Sequence, residues 1–131
     1  MKNVINFIVG TFLTGVMYFL GGFDMALKIL LTIIVLDYVT GVCDAITNKK
    51  INSKIGAKGI VKKVGYLIIV AVAVQLDKLV GDTGAIRNLV IYFFVANEGI
   101  SILENWGSMG LPLPQKIMDV LEQLKNDNGG K

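Results

Sequence analysis

The sequence has no histidine, which excludes imidazole acid/base catalysis and histidine metal ligation. Its single cysteine, Cys43, cannot close an internal disulfide, and no CxxC pair exists. There are two prolines, Pro112 and Pro114, placed late, where they end any preceding helix. Charge is scarce too: Asp, Glu, Lys and Arg make up 18% of the chain, and none falls between Asn3 and Phe23. No Gly-x-Ser-x-Gly elbow occurs, and Gly56-Ala57-Lys58-Gly59 is too short and misplaced for a phosphate loop. These absences point away from an enzyme and predict no catalytic residue, cofactor or metal site.

Apolar residues are abundant. They form 53% of the 131 residues, with a mean hydropathy of +0.64, in a chain long enough for one domain. The 21 charge-free residues from Asn3 to Phe23 would make about 30 Å of helix, the hydrocarbon thickness of a bilayer. A signal peptide with Lys2 as its positive n-region is disfavoured, because the run is long and no A-x-A-like cleavage site follows.

Six lysines concentrate between two apolar stretches: Lys49, Lys50, Lys54, Lys58, Lys62 and Lys63. Lys50, Lys54, Lys58 and Lys62 are spaced by four, so a helix would place them along one stripe. A basic cluster can mark nucleic-acid binding, but one hemmed in by apolar spans is better explained by anionic lipid headgroups. No nucleic-acid partner is expected. A positive connector of this kind is cytoplasmic by the positive-inside rule.

The pattern predicts an all-α integral membrane protein. Its membrane domain, residues 1–106, holds spans near 4–22, 25–44, 64–80 and 86–103, with the lysine-rich loop at 45–63. A tail at 107–131 carries a short amphipathic helix with Ile117, Leu121 and Leu124 on one face. In span 1, Asn3, Asn6, Gly10, Thr14, Met17 and Gly21 mark a small or polar face suited to helix contact. Spans 3 and 4 are short and polar, so three spans plus a re-entrant or interfacial helix is the alternative. With both termini inside, ten cations fall on the cytoplasmic side, leaving Lys28, Lys78 and Arg87 outside. Trp106 reads as an interfacial anchor, with Tyr66 and Tyr92 as further candidates.

Two carboxylates lie inside the spans, Asp37 and Glu98. A lone charge there costs at least about 2.5–3.5 kcal/mol, so such residues face a bundle interior, a partner or water. Asp37, Thr40, Asp44 and Thr47 follow one face of span 2. Asn97 or Glu98, Ser101 and Asn105 follow one face of span 4. Three readings stay open: structural pairing with Lys62 or Lys63, polar faces lining a water path between subunits, or a proton- or cation-coupling site.

Leu36-Asp37-Tyr38-Val39-Thr40-Gly41 resembles a signature of the phage-lysis and toxin-secretion holins of Gram-positive bacteria and their phages. So do Ser53-Lys54-Ile55-Gly56 with Gly59-Ile60-Val61-Lys62-Lys63, the run Ala96–Asn105, and Leu111-Pro112-Leu113-Pro114 before a short charged helix. The likeness covers nearly the whole chain, although residues 1–30 match only in being hydrophobic. It implies a small multi-pass protein of the bacterial cytoplasmic membrane that oligomerises with itself and opens lesions. These would release an endolysin, lysing the cell, or a large protein toxin. The motif positions it implies are Asp37, Tyr38, Gly41, Lys62, Lys63, Asn97, Glu98 and Glu104. The competing functions are a small proton- or cation-coupled exporter and a membrane-anchored adaptor.

Overall fold

The computed structural model describes residues 1–129. Its five helices are α1 Lys2–Phe19, α2 Met25–Thr47, α3 Ser53–Leu79, α4 Ala85–Ser108 and α5 Gln115–Gly129, and no strand occurs among the described residues. The protein is thus all-α. Helices α2, α3 and α4, with 23, 27 and 24 residues, are long and apolar enough to cross a membrane. They extend about 34, 40 and 36 Å. Helix α1 adds an 18-residue apolar segment about 27 Å long.

Local chemistry sets the helix boundaries. Helix α1 stops where Gly21 and Gly22 adopt φ of 88° and 100°, a left-handed region that glycine enters without steric cost. Asp24 then starts α2 by accepting a hydrogen bond from the Leu27 amide at 3.1 Å. After α2 the backbone turns left-handed at Lys49, and Asn52 caps α3 by accepting from the Lys54 amide at 2.9 Å.

The expected lysine loop at 45–63 is therefore much shorter, residues 48–52. Lys54, Lys58, Lys62 and Lys63 ride on the first three turns of α3. Gly56 and Gly59 do not break that helix: each costs only about 1 kcal/mol against alanine, and the long apolar segment that follows carries the helix through.

Helix α4 is the centre of the bundle. It packs against α2 on one side and α3 on the other, while α2 and α3 barely meet. The core is small: Leu20, Leu27 and Leu30 meet Ile91, Phe94, Val70 and Tyr66. Tyr66 stacks on Phe94 with ring centroids 4.3 Å apart. Tyr66 is therefore an internal packing residue and not the interfacial anchor its sequence position suggested. Tyr92 faces outward.

Most apolar side chains point away from this core. Ile29, Val35, Val39, Ile68, Ile69, Val72, Leu89 and Phe93 are all exposed on the outside of the bundle. So much contiguous apolar surface around a small core is what lipid-facing helices present. Helix α1 has no buried residue. Only its C-terminal end, with Val16, Met17 and the following Leu20, touches the core, so most of its small and polar face meets no other helix of the chain.

At the other end, the Trp106 indole N–H donates to the Pro112 carbonyl at 3.1 Å, folding the tail back on α4. Of the apolar face expected in α5, Ile117 is exposed, while Leu121 and Leu124 lie outside the residues whose side chains are described.

Candidate functional site

Two charged clusters sit inside the bundle, one toward each end. The first is a triad with one member from each spanning helix. Lys63 Nζ of α3 stands 2.6 Å from Asp37 Oδ2 of α2 and 2.9 Å from Glu98 Oε2 of α4. Glu98 is 2% exposed. Asp37 lies ten residues before the end of α2, Lys63 ten after the start of α3, and Glu98 ten before the end of α4. All three therefore lie about 15 Å of helix from the lysine-connector end, at one level. Helix periodicity and antiparallel packing together produce this coincidence.

Around the triad the polar groups are satisfied. Asn105 Nδ2 donates to Asp37 Oδ1 at 3.2 Å, to the Asp37 carbonyl at 3.3 Å and to Thr40 Oγ1 at 3.0 Å. Ser101 is half-buried and faces the Asp37 carboxylate. No buried side-chain polar atom among the described residues lacks a partner. Burying charge without partners costs several kcal/mol, so this satisfaction is what lets the carboxylates sit inside the bundle.

The structure thus brings Asp37, Thr40, Glu98, Ser101 and Asn105 together. Asp44 and Asn97 stand apart. Asn97 Nδ2 donates instead to the Tyr66 hydroxyl at 3.1 Å, one helical step around α4 from Glu98. Asp44 accepts from Asn48, whose amide also donates to the Ser108 carbonyl at 3.2 Å, tying the ends of α2 and α4. Of the six clustered lysines only Lys63 turns inward. Lys49, Lys50, Lys54, Lys58 and Lys62 are exposed.

The second cluster was not foreseen as a unit. Arg87, buried at the start of α4, donates from Nε to the Leu20 carbonyl at 2.6 Å and from one terminal nitrogen to the Gly22 carbonyl at 3.0 Å. Its fork also holds both Asp24 oxygens, at 2.8 and 3.0 Å. One guanidinium therefore pins the α1–α2 turn to α4, the geometry in which arginine outperforms lysine. It holds the Asp24 carboxyl below its ordinary titration range.

Asp77, near the end of α3, is buried. Its two oxygens accept from the Ile86 and Arg87 amides, both at 2.8 Å, capping α4 from a neighbouring helix. The available sequence signals were Asp24 at an N-cap position behind two glycines and a single arginine in an otherwise lysine-rich chain. No group of three or more metal-ligating side chains occurs among the described residues.

Comparison with known proteins agrees with a membrane bundle. Residues 14–126 match the model of the bacteriophage holin family. The chain is 43% identical to an uncharacterized 14.9 kDa protein in the nagH 3′ region of Clostridium perfringens, over 96% of this chain and 98% of that one. It is 32% identical to a probable holin of Bacillus phage phi105, over 80% of this chain and 78% of the relative. No solved structure matches the chain.

Proposed function

Because the chain belongs to the bacteriophage holin family, we propose that it oligomerises in the bacterial cytoplasmic membrane and opens lesions there. Those lesions let an endolysin reach the cell wall, or let a large protein toxin leave the cell. The supporting observation is the polar seam of Asp37, Thr40, Lys63, Glu98, Ser101 and Asn105, enclosed by helices whose outer faces are largely apolar.

A bundle of three spanning helices encloses no passage for a folded protein, so a lesion needs many copies. In the closed arrangement the polar groups of the seam are paired with one another and the outer face meets lipid. Reorganised among copies, the same seam can face water, which gives two alternative packings of one set of helices. Breaking the seam without hydrating it would expose a carboxylate to hydrocarbon at a cost of at least about 2.5–3.5 kcal/mol, so the closed state persists until assembly supplies water. With α1 as a fourth crossing both termini are cytoplasmic in this reading, and the exposed Lys54, Lys58 and Lys62 rest on anionic headgroups of the inner leaflet.

The test is timed expression in a bacterium with a co-expressed endolysin. A holin halts growth abruptly and admits the endolysin to the wall. The buried carboxylate pair is also what a proton- or cation-coupled exporter would use. Gradient-dependent efflux without killing would favour that reading and overturn this one.

A further inference from the structure

We infer that the Asp37–Lys63–Glu98 triad is a proton-binding site that holds one proton between its two carboxyl groups while the helices are packed. The argument is a charge count in a confined space. Two carboxylates share one ammonium, and the two distances to Nζ add to 5.5 Å, the largest possible separation of the two bonded carboxylate oxygens. Fully ionised, the cluster carries two negative charges against one positive.

Nothing nearby supplies the missing cation. Helix α2 presents Asp37 and Thr40. Helix α3 presents Lys63 and, beside Glu98, the Tyr66 hydroxyl. Helix α4 presents Glu98, Asn97, Ser101 and Asn105. Apart from the triad itself these are neutral, and Lys62, the nearest other cation in sequence, is exposed.

The site lies about 15 Å of helix inside the bundle, between lipid-facing walls. A net negative charge there is unfavourable, and two carboxyls at short range resist joint ionisation. One proton removes both penalties. The ammonium keeps its three protons and donates to both partners. One carboxyl becomes an acid whose O–H can donate to the other, and the proton belongs to the pair rather than to either residue. Deprotonating Lys63 would instead worsen the imbalance. The inference requires only the membrane-embedded bundle and does not depend on lesion formation.

Infrared spectroscopy of the purified full chain in lipid nanodiscs tests it, since a protonated carboxylic acid has its own carbonyl stretch. At neutral pH the unmodified chain should show one such equivalent, lost on raising the pH and unchanged when sodium or potassium chloride is replaced by choline chloride. Asp37→Asn and Glu98→Gln should each abolish the band, because either leaves a neutral one-to-one pair with Lys63. Asp82→Asn, at an exposed turn, should leave it intact. The circular dichroism of each variant reports whether it has folded, and the unmodified chain provides a test even if one variant does not. Three results would overturn the inference: no acid band in the helical, unmodified chain at neutral pH, a band that survives both single substitutions, or a band that appears only when sodium and potassium are withdrawn.

Discussion

Lys63 and Asp37 are 26 positions apart in sequence and 2.6 Å apart in space, whereas Lys62 points outward. Adjacent helical positions differ by about 100° around the axis, so only one of the two lysines can face the seam. Lys63→Met would leave two buried carboxylates without their ammonium, and removing one partner of a buried ion pair costs about 3–5 kcal/mol. Lys62→Met should change stability by no more than about 0.5 kcal/mol. Thermal unfolding in detergent, followed by circular dichroism, separates them; equal losses in both variants would refute the assignment.

The two seam carboxylates should also set timing. Asp37→Asn weakens the hold of α2 on α3 while keeping the shape and the hydrogen bonds available from Asn105. Under induced expression, the onset of growth arrest should shift relative to the unmodified chain at matched membrane levels. Unchanged onset with unchanged oligomers on crosslinking would remove Asp37 from the mechanism.

At the opposite end of the bundle, a Cβ on Gly21 would run into the Arg87 side chain, while one on Gly22 would meet nothing within 4 Å. Both glycines have positive φ, so alanine at either pays a backbone penalty of about 1–2 kcal/mol. Only Gly21→Ala should also dislodge the guanidinium from the Leu20 and Gly22 carbonyls. It should lower the melting temperature more than Gly22→Ala does. If the two variants melt together, Arg87 does not fasten the turn.

The Asp24–Arg87 pair gives a pH dependence of defined sign. Arg87 depresses the Asp24 carboxyl in the folded protein, so its stabilisation is complete above the ordinary carboxylate value of 3.8 and is lost as pH falls through the lowered folded value. Asp24 is half-exposed, which limits the effect to about 1 kcal/mol or less. The stability difference between the unmodified chain and Asp24→Asn should therefore shrink on acidification below about pH 4. A difference that grows there would reverse the argument.

How much of this was legible beforehand follows from which forces are local. Apolar length is a local property, so the membrane class and the helix content read directly from sequence. The buried partners of Asp37 and Glu98 narrowed to Lys62 or Lys63 because an intramembrane carboxylate needs a counter-charge. Choosing Lys63 required the rotation of α3, and that rotation depends on α3 being helical from Ser53. The two glycines at Gly56 and Gly59 concealed this. The Arg87 clamp was illegible because four of its five acceptors are more than 60 residues away and two of those are backbone carbonyls, which every residue carries.

The orientation can be tested with one thiol at a time, since Cys43 is the only cysteine and is exposed. In a Cys43→Ser background, Lys54→Cys and Asp82→Cys place thiols at exposed positions near the two ends of α3, a helix about 40 Å long. The positive-inside rule puts Lys54 in the cytoplasm, so a membrane-impermeant maleimide should label Asp82→Cys on intact protoplasts and Lys54→Cys only after permeabilisation. A third variant, Lys2→Cys, decides what α1 does. If α1 crosses, the N-terminus is cytoplasmic and Lys2→Cys should behave like Lys54→Cys. Labelling of Lys2→Cys on intact protoplasts would leave three crossings, with α1 held on the outer face by the Arg87 clamp. Labelling of Lys54→Cys from outside would overturn the inward placement of the basic stripe.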